Sequence, residues 1–429
     1  MSPKARIHTG ALPFLRAAAA LLPCTLALPC PHAHAADWSL LSRNYLLDND
    51  FRSPGPNGQS LRREWAQGFI GNFSSDLTPG TLGLGVDLHG FLGLKLDGGR
   101  GHAGTGLLPL DSDGSSESDY SDGGGALRLA HEHTTLAWGE MDVATPVFDT
   151  GDKRLQPEYA TGWLLDDKSQ PGLRLQAGRF TAFKNQDSSS AHGEFEGYGA
   201  STRFGGLSLA GATWSDAGEN WGGALYASQL DETWRQAYAN LNSHFGRWSV
   251  DANLYKTRDT GGARAGAIDT LAWSLLGKVT LGSHALSLAY QKIEGDTPFD
   301  FVGGDSIYLA NSVKYADFNG PGEHSWQARY DLDLGVFGVP GLNVMTRYVR
   351  GSGIDGSHAP ADGAYAGQYG SDGRHWERDL NLHYVVQSGP AKDLALSFAQ
   401  VSHRANEAQG GADIDRLYVI VEYPLKGVF

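Results

Sequence analysis

The chain closes with Arg416-Leu417-Tyr418-Val419-Ile420-Val421-Glu422-Tyr423-Pro424-Leu425-Lys426-Gly427-Val428-Phe429, and the alternation in this stretch decides the fold. In an extended strand successive side chains point to opposite faces. Leu417, Val419, Val421 and Tyr423 therefore share one face, and Arg416, Tyr418, Ile420 and Glu422 share the other. The first series runs on through Leu425 and Gly427 to the final Phe429. The same period recurs upstream. Trp248, Val250, Ala252 and Leu254 alternate with Ser249, Asp251, Asn253 and Tyr255. Leu286, Leu288 and Tyr290 alternate with Ala285, Ser287, Ala289 and Gln291, and Leu394, Leu396 and Phe398 with Ala395, Ser397 and Ala399. Each segment has one apolar face and one polar or small face, the pattern of a half-buried strand.

Composition agrees. Gly makes up 58 of 429 residues, about twice the usual share of roughly 7%. Eleven Trp, 17 Tyr and 17 Phe are more than a disordered chain carries, and so much Gly would unravel a helical bundle. Strand-like segments recur from about residue 65 to the end, separated alternately by short turns and long Gly/Asp/Ser-rich loops such as 111–125 and 351–374. No linker or shift in composition divides them, so residues 36–429 read as one domain.

Residues 1–35 read as a cleavable export signal. Lys4, Arg6 and Arg16 make the leading end positive, Ala17 to Leu28 is apolar but short, and Ala33-His34-Ala35 supplies a small-x-small cleavage site. Both cysteines, Cys24 and Cys30, lie in this segment, so thiol chemistry is not expected of the exported chain. Without the signal, 31 Lys and Arg face 48 Asp and Glu, a net charge of −17. An acidic chain with no basic block longer than a dipeptide is a poor partner for nucleic acid.

Two architectures fit the alternation: a soluble sandwich or propeller, and a transmembrane barrel whose apolar faces turn outward to lipid. Export, aromatics near strand ends (Trp65, Trp138, Trp248, Trp273, Tyr348) and the terminal Phe429 favour the barrel. Phe429 is the expected handle for the barrel-assembly machinery, and the outer face is expected to meet outer-membrane lipid and lipopolysaccharide. At one long and one short connection per hairpin, the length yields about 16–18 strands.

Several stretches resemble the OprD-type porins of pseudomonads and their relatives. They include Leu41-Ser42-Arg43-Asn44-Tyr45, Glu64-Trp65-Ala66-Gln67-Gly68-Phe69, Gly83-Leu84-Gly85-Val86-Asp87 and Leu92-Gly93-Leu94-Lys95-Leu96-Asp97. Further on come Thr105-Gly106, the run from Gly303 to Tyr330, the run from Tyr384 to Leu394, and His403-Arg404-Ala405-Asn406. The resemblance covers nearly all of residues 36–429. It implies an all-β fold: an eighteen-stranded antiparallel transmembrane β-barrel, working as a monomer or loose homotrimer, with long external loops folded into the lumen. It also implies passive, substrate-selective diffusion of small carboxylate-bearing solutes, without a cofactor.

The site residues follow from the same resemblance. Such channels narrow where the third and seventh external loops fold inward. A ladder of basic side chains on one wall meets the solute carboxylate, and an acidic, tyrosine-bearing pocket lies opposite. Arg62 and Arg416 match ladder positions, and Arg154 falls where the third loop narrows the pore. Tyr315 and Asp317 match the seventh-loop tyrosine and aspartate. A second pocket tyrosine falls on Phe301, and Tyr198 corresponds to a fourth-loop tyrosine. Other ladder positions fall on Ser397, Ala399, His383 and Asn49, with Arg52 near enough to Asn49 to compensate. Arg347 and Arg128 alternate inward and could serve instead. Tyr315 and Asp317 put basic amino acids or small peptides first among solutes, with aromatic or aliphatic carboxylates second.

Enzymatic signatures are missing. There is no HExxH and no G-x-S-x-G elbow, and acidic residues are too numerous to single out a glycosidase pair. The remaining rivals are a barrel enzyme acting on lipid or glycan and a secreted sugar-binding β-protein. His131 and His133 would share one strand face and form a weak metal pair without a third ligand.

Overall fold

The structure, a computed structural model, describes residues 36–54, 58–195 and 205–428. The export signal, Tyr198 and Phe429 lie outside the described residues. Strands begin earlier than residue 65, with β1 (Ala36–Phe51), β2 (Leu61–Ser75), β3 (Gly83–Asp97), β4 (Asp119–His131) and β5 (Thr134–Met141). A two-residue pair, β6 (Ala144–Thr145) and β7 (Phe148–Asp149), lies inside the next loop. Then come β8 (Tyr159–Gln170), β9 (Leu173–Lys184), β10 (Leu207–Ser215), β11 (Trp221–Leu230), β12 (Trp234–Phe245) and β13 (Trp248–Asp259). The set ends with β14 (Asp269–Leu281), β15 (His284–Glu294), β16 (His324–Asp333), β17 (Leu342–Asp355), β18 (Ser371–Val385), β19 (Ala395–Ala405) and β20 (Ile414–Val428).

All except β6 and β7 form one antiparallel sheet of 18 strands, each paired with its neighbours in sequence, β5 pairing directly with β8. The sheet closes on itself because β1 pairs with both β2 and β20, Asn49 lying opposite Arg62 on one side and Arg416 on the other. Closure leaves no free edge, the condition for strands to cross a membrane. Among the described residues no helix is long and apolar enough to cross one.

The wall is apolar outward and polar inward. Leu288 is 67% exposed and Trp326 62%, whereas Gln291, Glu64, Glu377 and Asp379 are fully buried. Along β13 the outward set is Trp248, Val250, Ala252 and Leu254, the apolar face read from the sequence. β1 escaped the alternation test because both faces carry apolar residues: Tyr45 and Leu47 point inward and Leu46 outward.

Connections differ at the two ends. At one end four turns are only two residues long (132–133, 171–172, 246–247, 282–283). Gly246 and Gly282 supply the positive φ that such hairpins need, at 60° and 63°. Glu132, at φ 52°, does the same between β4 and β5. His131 therefore ends a strand and His133 sits in the turn, so the two imidazoles do not share a strand face.

The other end carries the long connections, including 98–118, the third loop 142–158 and the seventh loop 295–323. The Gly-rich stretch 111–125 is not wholly loop, since β4 begins at Asp119. Its glycines are needed in the wall: a Cβ on Gly124 would lie 2.2 Å from Glu140 Oε1 and 2.7 Å from His89 Nε2. Likewise Gly351 to Asp355 belong to β17 and Ser371 to Arg374 to β18.

Candidate channel constriction

The third and seventh loops fold into the lumen and lock together there. Gly304 N–H of the seventh loop donates to Glu158 Oε2 of the third at 2.7 Å, and Gly151 N–H donates to the same oxygen at 2.7 Å. Asp149 N–H donates to Ser306 Oγ at 2.7 Å, and Lys153 pairs with Asp305 at 2.6 Å. Burial raises the Glu158 carboxyl to about 7 and the Asp149 carboxyl to about 6, against the backbone donors and the Tyr308 hydroxyl that favour their ionised forms. Beneath the joint lies an apolar floor in which Phe148 packs on Phe180 (ring centroids 5.1 Å) and Phe299 on Tyr255 (4.7 Å).

Strand side chains hold both loops against the wall. Arg43 on β1 donates through Nη1 and Nη2 to the two oxygens of Asp152 at 2.6 and 2.8 Å, and through Nε to Glu422 at 2.7 Å. Its Nη1 also reaches the Arg154 carbonyl at 2.9 Å, which fixes the loop at that residue. Glu377 on β18 accepts the Tyr315 and Ala316 N–H groups at 2.9 and 2.8 Å, and Gln291 on β15 donates to the Asp317 and Phe318 carbonyls. These anchors give the narrowing a defined shape rather than a loose plug.

Between the anchored loops runs a basic wall. Arg62, Asn49 and Arg416 stand opposite one another on β2, β1 and β20, all on the inward face. Arg416 lies 4.6 Å over the Tyr315 ring, and its Nη1 donates to the Tyr418 hydroxyl at 3.0 Å. Arg62 lies 5.2 Å from the Phe51 ring centre. Among the described residues Arg154 donates to the Thr105 and Lys153 carbonyls, at 3.2 and 3.0 Å. Among the described residues none of these three arginines has a carboxylate within ion-pair distance, although the chain carries 48 acidic residues. The Nε donors of Arg62 and Arg416 are buried and, among the described residues, have no acceptor. A guanidinium without a carboxylate partner of its own suits a solute carboxylate, which can take two of its donors at once.

Comparison with known proteins places this architecture. Residues 33–427 match the model of the family described as outer membrane porin, OprD family. The chain belongs to that family. Porin D of Pseudomonas aeruginosa is 44% identical over 402 residues, covering 90% of each chain. The porin-like protein GalP of Pseudomonas putida is 32% identical, covering 90% of this chain and 91% of GalP. Among solved structures, P. aeruginosa OccK9 (OpdG) superposes with a TM-score of 0.84 at 36% identity, covering 91% of this chain and 98% of OccK9. P. aeruginosa OprD gives 0.79 at 41%, covering 91% and 95%. This porin is accordingly a substrate-selective channel of the outer membrane, and its relatives are channels.

The other site residues fall as follows. Asp317 accepts the Ser312 hydroxyl at 2.6 Å through Oδ1 and lies in the seventh loop two residues beyond Tyr315. Burial raises the Tyr315 hydroxyl pKa, against the pull of Arg416. Phe301 stacks on Phe299 at 6.0 Å and joins the apolar floor. Arg347 faces inward but is paired with Asp379, and Arg128 is paired with Asp87 at 2.7 Å. Arg52 does not stand in at Asn49: it is exposed and paired with Asp415. Ala399 is buried beside Tyr418, and His383 meets the Ser397 hydroxyl at 2.9 Å.

Residues not singled out from the sequence complete the site. Tyr45, Tyr418 and Arg43 share the inward phase with Asn49 and Arg416, and Lys314 lies 4.8 Å over the Tyr418 ring. The strand phase was the available signal for the first three. His89, Asp122 and Glu140 lie close enough together to hold a metal ion, but Lys184 already fills that place, donating to Asp122 and to Glu140 (2.6 Å).

Proposed function

We propose that this porin passes small solutes bearing a carboxylate, with basic amino acids or small peptides foremost. The observation that carries the reading is the set of inward arginines, Arg62, Arg154 and Arg416, that no carboxylate of the described residues neutralises. A solute carboxylate meets three guanidiniums in sequence, each contact strong enough to admit it and weak enough to release it. Asp317, in the loop that faces Arg416 through Tyr315, supplies an acidic group for a solute cation. Aromatic carboxylates form the second reading: P. aeruginosa OpdK, solved with vanillate, is similar to this chain at 36% identity and a TM-score of 0.82. In this chain the half-buried Phe301, resting on the buried floor around Phe299, offers an apolar edge to such a ring. The test is uptake by liposomes carrying the refolded barrel, with arginine, glutamate, benzoate and an uncharged sugar of similar size. Arginine is expected ahead of the sugar, D317N to reduce that lead, and R416Q to slow every carboxylate. Benzoate ahead of arginine would select the second reading, and equal rates for all four would overturn both.

A further inference from the structure

The outward face of β10 to β13 carries a hollow of about 590 Å³ in a wall otherwise studded with leucine. Ala210, Ala227 and Ala237 face one another across adjacent strands and floor it. Leu225 and Leu254, exposed on the same face, border it toward the turn end. Its rim at the loop end is basic. Arg235 and Arg258 stand directly opposite each other on β12 and β13, and Lys256 lies opposite Ala237. Like charges so placed repel. Asp269 is the one carboxylate that serves them among the described residues, touching Lys256 and, at 3.5 Å, Arg258. Arg235 has no carboxylate partner among those residues. The longer connections of such barrels lie outside the cell, so the rim sits at the level of the outer leaflet's head groups.

We propose that this hollow binds a phosphorylated glycolipid of the outer leaflet, of the lipopolysaccharide type. One acyl chain lies over the three alanines, and a phosphate is shared by Arg235 and Arg258, with Ser208 and Gln229 beside them as hydrogen-bonding groups for the sugar. Charge complementarity selects the occupant: two opposed guanidiniums plus a lysine, offset by one aspartate, call for a multiply charged anion. A neutral lipid or the apolar wall of a second barrel would leave Arg235 uncompensated and one aspartate to serve both Lys256 and Arg258.

Native mass spectrometry of the whole barrel in detergent tests this, with bis-phosphorylated lipid A, its dephosphorylated form and phosphatidylglycerol as probes. Wild type is expected to retain the bis-phosphorylated lipid, R235Q/R258Q to lose it at least tenfold, and A227L/A237L, which fills the hollow and keeps the rim, to lose it as well. Neither variant touches the lumen, so both are expected to keep carboxylate uptake. Equal retention by wild type and A227L/A237L would overturn the site even if the arginine variant failed to fold. Equal binding of phosphatidylglycerol and lipid A would overturn the glycolipid assignment. A loss of oligomers in A227L/A237L with lipid retained would make the hollow a contact between copies instead.

Discussion

At the scale of single residues, the selective element we propose is a row of three inward positions, Arg62, Asn49 and Arg416, on consecutive strands. Neighbouring strands lie about 4.8 Å apart, so the two arginines flank a gap of about 10 Å filled by a neutral amide. Asn49 is buried with its Oδ1 unpartnered among the described residues, next to guanidiniums whose Nε donors are likewise unpartnered among them. Placing a cation there joins the two charges into one strip. N49K is therefore expected to raise benzoate uptake relative to arginine severalfold, at a folding cost from the like charges opposite it on both sides and from burial of its ammonium. The ratio of the two rates in liposomes measures this, and an unchanged ratio would place the row off the solute path. Arg416 was legible because alternation and family resemblance agreed on it, and Arg62 through the resemblance alone. The insulation of Asn49 between them was not, since it depends on a register that joins the two ends of the chain. Nor could the sequence distinguish Arg347 and Arg128 from the ladder: Asp379 lies 32 residues from its arginine and Asp87 41 residues from its own, and only the closed wall brings each pair together.

At the scale of elements, the third loop depends on two carboxyls that burial holds partly protonated near neutrality. Glu158 accepts Gly151 and Gly304 N–H through Oε2 alone, which leaves Oε1 able to carry a proton. Its carboxyl is raised from 4.5 to about 7, and that of Asp149 from 3.8 to about 6. The docked loop thus binds more protons than a released loop between the ordinary and the raised values. Docking is therefore most stable below about pH 4, weakens as pH rises through 6 and 7, and levels off above. Single-channel recordings are expected to show brief current fluctuations several times more frequent at pH 8 than at pH 5. E158Q, neutral throughout and still able to accept both N–H groups, should flatten most of that rise. Fluctuations that grew toward acid pH would show that the joint is held by charge instead. Lys153 and Asp305 also face the joint, as an ion pair. The resemblance indicated which loops turn inward. Their anchors, Arg43 on Asp152 and Glu377 on the Tyr315 and Ala316 amides, span 109 and about 60 residues of chain and carry no local signature.

At the scale of the whole molecule, the barrel inverts the distribution of a soluble protein, and that inversion makes the class readable from a period of two. Alternation alone is shared with a sandwich; the direction in which the apolar face points is what differs. Closure decides it here, because β1 pairing with β20 leaves Leu46 and Val419 side by side on the outside and Asn49 and Arg416 side by side on the inside. The basic wall therefore exists only once the two ends of the chain have met, so folding and the proposed selectivity depend on the same seam. The outward face has its own energetic signature. Leu288, midway along β15, is among the most exposed leucines of the chain, and in a water-soluble fold L288R would be neutral or would aid solubility. In a bilayer it is expected to cost about 2–4 kcal/mol, the penalty for a cation facing lipid near the midplane. Denaturant unfolding of the barrel in lipid vesicles reads that loss directly. If L288R unfolds at the same denaturant concentration as wild type, the apolar face of β15 does not meet hydrocarbon. The outward assignment of the strands in register with it would then fall too, because Leu288 opposite Ala328, and Ala328 opposite Tyr348, share one continuous face of one closed sheet.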